Sequence, residues 1–316
     1  MPLWLDASAP DFGAAFAALV GARRESDADV SRDVAAMIAD VRARGDAAVA
    51  ELTARFDRVD LDAAGWCIDA GECAVAYAGL DADLRAALDL AAARIADFHA
   101  RQKPADSEMT DAVGARLGSR WRAVDAAGIY VPGGRAAYPS SVLMNAIPAK
   151  VAGVERLVMV TPTPDGIVNP LVLAAAHIAG TDEIWRIGGA QAVAALALGT
   201  DRIAPVDVIT GPGNAWVAEA KRQMFGVVGI DMVAGPSEIV VVADAANDPA
   251  IIAGDLLSQA EHDPTSQSIL FTDNADFARA VMAAVDAIIP ALATAAVAGD
   301  SWRDHGAVII VPALAD

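Results

Sequence analysis

The sequence predicts an α/β protein: two Rossmann-like (incomplete) parallel-sheet α/β/α domains with an N-terminal helical arm. Three observations carry that expectation. Short β-branched runs alternate with helical stretches from residue 128 onward, which is the pattern of βαβ units and a parallel sheet. Three of the strand-to-helix turns are rich in glycine. The chain has 316 residues, 55% of them hydrophobic, enough apolar surface for two cores.

Taken in order, residues 29–56 read as one helix. Val34, Ile38, Val41, Ala48 and Leu52 recur at spacings near three or four, and Ser31 is the candidate N-cap. A second helix is expected over 83–101, with Leu84, Leu88, Ala91, Ile95 and Phe98 on one stripe. From there strands are expected at 128–131, 156–161, 183–187 and 206–209, with helices over 140–151, 170–178, 191–198 and 214–225. A second series follows: strand 238–242, helix 249–261, strand 268–272, helix 275–289 and strand 307–311. The expected division is an arm over 1–24, a discontinuous first α/β domain over 25–128 plus 238–316, and a second α/β domain over 129–237.

Composition removes several functions. Lys plus Arg number 23 and Asp plus Glu 42, a formal charge of −19, and that field repels phosphate backbones, so nucleic acid is not an expected partner. No apolar run reaches the length of about 18 residues that a membrane span needs, and no signal peptide is expected from Asp6 and Asp11 near the start. Two cysteines, Cys67 and Cys73, are no disulfide framework, so a reducing, cytoplasmic location is expected.

The glycine-rich turns are VPGGR at 131–135, IGGAQ at 187–191 and TGPGN at 210–214. Ligands of open α/β sheets bind beyond the carboxyl ends of the strands, and helix N-termini favour anions. Three such turns in one block, ending in Arg135, Gln191 and Asn214, point to a nucleotide crevice, although none is a G-x-G-x-x-G fingerprint. Tyr130 at a strand end suits a stacked base or an ordinary core position equally. A fourth turn, AGPSE at 234–238, presents Ser237, which also suits a plain turn. In LLSQAEHD at 256–263, Gln259 and His262 stand three apart and share one helical face. An imidazole and an amide oxygen converging there can ligate a metal, but zinc usually takes three or four protein ligands. Glu261 reads as a supporting or surface carboxylate rather than a base. His99 reads as a surface or capping histidine, His177 as structural and His305 as a turn residue.

Taken together, the segments GIYVPGG at 128–134, NAIPAKVAG at 145–153, GGAQAVAAL at 188–196, GPGN at 211–214, AEAKR at 218–222, DMVAGPSE at 231–238 and DLLSQAEH at 255–262 resemble histidinol dehydrogenase. The resemblance implies zinc-dependent oxidation of L-histidinol to L-histidine through histidinaldehyde, with two NAD in succession. It assigns zinc to Gln259 and His262, substrate to Ser237, Gln259 and His262, and NAD to Tyr130, Gln191 and Asn214. It also implies a homodimer that exchanges terminal segments, the arm over 1–24 among them. The family's catalytic Glu-His pair and two further zinc ligands are expected beyond Asp316, so no catalytic residue is assigned within this sequence. A non-catalytic nucleotide-binding fragment, or a sister NAD-dependent dehydrogenase of another polar alcohol, are the alternatives.

Overall fold

The computed structural model describes residues 1–21, 28–133, 138–235 and 237–315. Of the positions singled out above, Gly134, Arg135, Pro236, Asp316 and the end of the arm at 22–24 lie outside the described residues. In chain order the first elements are β1 (Leu3–Asp6), α1 (Phe12–Gly21), α2 (Ala28–Arg44), α3 (Asp46–Asp57), α4 (Leu61–Ala64), α5 (Ala70–Ala78), α6 (Ala82–Ala100), β2 (Ser107–Thr110) and β3 (Arg116–Ser119). Next come β4 (Ala126–Tyr130), α7 (Pro139–Ala152), β5 (Arg156–Val160), α8 (Pro170–Ala179), β6 (Glu183–Trp185), α9 (Gly189–Leu198), β7 (Val208–Thr210), α10 (Ala215–Met224) and β8 (Gly229–Ile230). The last are β9 (Glu238–Val242), α11 (Pro249–Ala260), β10 (Gln267–Thr272), α12 (Ala275–Ile288), α13 (Ala295–His305) and β11 (Ala307–Ile310).

The chain divides into two compact units, residues 27–234 and residues 1–26 with 235–316. In the 27–234 unit, five parallel strands run in the order β6-β5-β4-β7-β8. The chain steps outward from β4 in one direction through β5 and β6, then returns to the other side of β4 for β7 and β8. That reversal between β4 and β7 is the topological switch point of a Rossmann-type sheet. Every residue of β4 is buried, as expected of a central strand covered on both faces. Ala126 and Tyr130 pack in one core with α2, α3, α9 and α10 residues such as Val34, Leu52, Leu196 and Val217. Ala127 and Ile129 pack in the other with residues of α5 to α8 such as Cys73, Leu88, Leu143 and Val172. The two-residue alternation of the strand therefore builds the three layers.

In the other unit, four parallel strands run β1-β11-β10-β9. The last three climb stepwise through α11, α12 and α13, whose Leu256, Val281 and Trp302 share one core with Leu270 and Val308. On β9 the opposite face leaves Val240 and Val242 exposed.

Four expectations are corrected. The stretch 29–56 is two helices, because Gly45 adopts φ +54 and breaks the ladder between α2 and α3. Ser31 lies inside α2 rather than at its cap, and its carbonyl accepts from Gln223 Nε2 at 2.8 Å. The helices in 25–128 do not join 238–316. Helix α2 buries Val34, Ile38 and Val41 in one core with residues of α9 and α10, so they belong to the 27–234 unit. Their apolar stripes were legible, but a stripe does not say which sheet it covers. The arm is not separate either: β1 pairs in register with β11, Leu3 opposite Ala307 and Asp6 opposite Ile310, and Leu5 is buried.

Candidate functional site

The carboxyl ends of the 27–234 sheet hold the first cluster. Tyr130 is the last residue of β4 and is only 4% exposed. Its hydroxyl accepts a hydrogen bond of 3.0 Å from the Gly189 N–H, at the start of α9. Burial pushes the phenol up to about 12, the Gly189 N–H opposing and Asp57 adding to the rise. Tyr130 is therefore a neutral hydroxyl at physiological pH and keeps its proton available to donate. Asp57, at the end of α3, is itself buried with Oδ2 unpartnered, and desolvation raises its carboxyl. Gln191 lies two residues beyond Gly189 in the first turn of α9 and is 1% exposed.

Beside Tyr130 passes the turn that follows β7. Gly211 has φ +117, and a Cβ there would sit 2.2 Å from the Tyr130 carbonyl oxygen. Only glycine lets the two strand ends approach this closely. Asn214 then caps α10, its Oδ1 accepting from Trp216 N–H at 3.1 Å and Val217 N–H at 3.2 Å. It stands exposed at the N-terminus of the helix. Tyr130, Gln191 and Asn214 thus share the carboxyl edge of one sheet, and its switch point lies between β4 and β7. Of these, Asn214 offers exposed atoms, whereas Tyr130 and Gln191 are packed inside.

Sequence reasoning missed two residues of this edge. Lys221 on α10 is 2% exposed, pairs with Asp231, and donates to the Gly211 carbonyl at 3.0 Å. Asp231 Oδ2 accepts from the Gly211 N–H at 2.9 Å. The signal was present: Lys221 occupies the buried stripe Val217–Lys221–Met224 of α10, where a lysine needs a partner.

The second cluster lies in the other unit. Ser237 is exposed immediately before β9, and its carbonyl accepts from Gln267 N–H at 2.9 Å. Gln259 is half-buried in the last turn of α11, and His262 is exposed just past its end. The His262 N–H donates to the Gln259 carbonyl at 3.2 Å, so the helical turn carries on through both residues. Since β9, α11 and β10 form a parallel βαβ unit, the end of α11 returns to the amino edge of the sheet. Ser237, Gln259 and His262 therefore share that edge, opposite in sense to the carboxyl edge used by the first cluster. Glu261 Oε2 accepts from the Thr294 hydroxyl at 3.2 Å, in keeping with a supporting carboxylate. Among the described residues no three His, Cys, Asp or Glu stand together as a metal would need. The imidazole of His262 and the amide of Gln259 fit two positions of a zinc shell, which is a partial fit.

An apolar cavity opens at the carboxyl ends of β9, β10 and β11, lined by Phe12, Phe16, Val242 and Phe271, and Ser237, Gln259 and His262 do not line it. His177 is on α8 with its ring 5.1 Å from that of Tyr77, a structural contact. Cys67 and Cys73 are free thiols. Among the described residues no helix is long and apolar enough to cross a membrane.

A doubly wound parallel sheet with glycine turns at its switch point defines an α/β protein of the Rossmann type, a class whose ligands bind beyond the carboxyl ends of the strands. Comparison with known proteins makes the assignment specific. The family model for histidinol dehydrogenase matches residues 21–316. The histidinol dehydrogenase of Zymomonas mobilis subsp. mobilis is 64% identical over 314 residues, covering 99% of this chain and 73% of that protein. That of Ruegeria pomeroyi is 65% identical over 311 residues, covering 98% and 72%. The crystal structure of histidinol dehydrogenase from Elizabethkingia anophelis superposes with a TM-score of 0.85 at 30% identity, covering 99% of this chain and 71% of that one. The chain belongs to the histidinol dehydrogenase family, oxidoreductases of histidine biosynthesis that in general depend on NAD and zinc.

Proposed function

We propose that this chain serves the oxidation of L-histidinol to L-histidine through histidinaldehyde, binding NAD at Tyr130, Gln191 and Asn214 and the zinc and substrate at Ser237, Gln259 and His262. The observation that carries the cofactor assignment is the convergence of Tyr130, the Gly189 amide and the Gly211 turn at the switch point of the sheet. When bound, NAD supplies the hydride acceptor for each oxidation, and zinc supplies an anchor for the imidazole and amine of the substrate.

The residues of the chain do the positioning. Asn214 orders the first turn of α10 by capping it, which fixes the positive dipole end of that helix at the carboxyl edge of the sheet. The buried Tyr130 hydroxyl fixes the start of α9 through Gly189. At the amino edge of the other sheet, His262 offers an exposed imidazole and Gln259 a half-buried amide, so two donors reach outward from one helical turn. Ser237 brings a hydroxyl from the start of β9. We assign the protein to the cytoplasm as a homodimer.

Isothermal titration tests both assignments on the intact chain. Asn214→Ala is expected to weaken NAD⁺ binding, and His262→Ala to weaken Zn²⁺ binding without touching NAD⁺. NADH formation from L-histidinol with added zinc reads the reaction itself. Unchanged NAD⁺ affinity in Asn214→Ala, together with unchanged Zn²⁺ affinity in His262→Ala, would refute the assignment.

A further inference from the structure

Lysine is among the residues least often found fully buried. Lys221 is nevertheless 2% exposed, on the inward stripe of α10. Its ammonium has two partners: the Asp231 carboxylate and the Gly211 carbonyl at 3.0 Å. Asp231 follows β8 directly, and its two oxygens are divided. Oδ1 faces Lys221 and also accepts from the Met232 N–H at 2.7 Å, while Oδ2 accepts from the Gly211 N–H at 2.9 Å. Gly211 is thereby held from both sides of one residue, its carbonyl by the cation and its amide by the anion. No neighbouring strand could do this, because Gly211 has already left β7 with φ +117.

A buried ion pair is weak evidence for stability, since removing two charges from water costs about what their attraction returns. Its use lies in fixing geometry, and the geometry fixed here is that of the turn leading to Asn214. The three residues after Gly211 lead into α10, the third of them, Asn214, being its cap, and the pair spans the turn from α10 to the segment after β8. Misplacing this turn moves the capped helix end and the crevice together.

We propose that Lys221 and Asp231 are positioning residues for dinucleotide binding: a buried ion pair that clamps both backbone groups of Gly211 and so sets the turn 211–214 at the switch point. This rests on the reading of that crevice as the NAD site given above.

Titration with NAD⁺, beside thermal unfolding, separates the possibilities. Lys221→Met and Asp231→Asn are each expected to raise the Kd for NAD⁺ about tenfold or more, a loss of about 1.4 kcal/mol of affinity. The double variant should lose no more than the worse single one, because the pair acts as a unit. Variants with a lowered Tm and a parental Kd would overturn the clamp and leave a merely structural pair. Failure of the crevice reading looks different: the parent chain does not bind NAD⁺, or Asn214→Ala binds it as the parent does. If neither single variant folds, hydrogen exchange on the parent decides. Added NAD⁺ must protect the segments carrying 211–214, Lys221 and Asp231 together, and no gain in protection there overturns the proposal.

Discussion

Glu219 sits on α10 at 7% exposure and receives Arg222 in a two-pronged contact, Nε at 2.7 Å and Nη2 at 2.6 Å, with Gln223 Nε2 at 2.7 Å. Arg222 first, and Gln223 and Ser31 after it, hold its carboxyl far below the ordinary 4.5, at about 2. At about 1.4 kcal/mol per pH unit, that displacement is worth at most about 3.5 kcal/mol. The Arg222 side chain is 50% exposed, so solvent screening reduces the expectation to about 1–2 kcal/mol. A carboxylate depressed in the folded state stabilises in full above its unfolded value, and that contribution fades as pH falls from about 4.5 toward 2. Glu219→Gln keeps the acceptor oxygen and removes the charge. In urea unfolding followed by circular dichroism, the variant should lag the parent at pH 7 by about 0.5 M in midpoint. The gap should be the same at pH 5 and shrink steadily from pH 4 to pH 3. A gap as wide at pH 3 as at pH 7, or no gap at pH 7, would refute the assignment of this stabilisation to the ionised carboxylate.

Two further substitutions probe the crevice. Gly211→Ala places a methyl 2.2 Å from the Tyr130 carbonyl at φ +117, and backbone strain alone costs about 1–3 kcal/mol. Its thermal midpoint should drop and NAD⁺ binding should weaken with it; a stable variant of parental affinity would contradict the close approach. Tyr130→Phe leaves the Gly189 amide without its acceptor, at a cost of about 1–3 kcal/mol. A lowered thermal midpoint is expected, and an unchanged one would show that water or another group satisfies that amide.

The sheet of the 27–234 unit was legible because its strands are β-branched runs closed by glycine turns, as in GIYVPGG at 128–134 and ITGPGN at 209–214. The core positions Val34, Ile38, Val41, Leu52 and Leu88 were legible from period alone. What escaped has physical reasons. Gly45 was passed over because a single glycine is tolerated in a helix, and only its positive φ breaks this one. LWLD at 3–6 is too short to announce a strand, and its pairing with β11 is non-local. The burial of Lys221 is written in helical spacing, but its partner Asp231 lies ten residues on, beyond a strand that two residues define. Of the candidate site, Gln259 and His262 were placed on one turn by their spacing. The opposite edges used by Ser237 and Asn214 follow from sheet topology, which no local pattern records.

The pairing of Leu3 with Ala307 has a consequence for how this chain is made. At about 5–20 residues per second, a translating ribosome takes roughly 15–60 s to travel from the first strand to its partner. All of 27–234 is synthesised within that interval and can fold as a unit. The nascent LWLD segment meanwhile waits without its partner strand, its backbone bonded only to water. Closing so long a loop adds little entropy beyond a shorter one, so the burden is kinetic. A chaperone that shields the first twenty residues during elongation should raise the yield of active protein more than one acting after release.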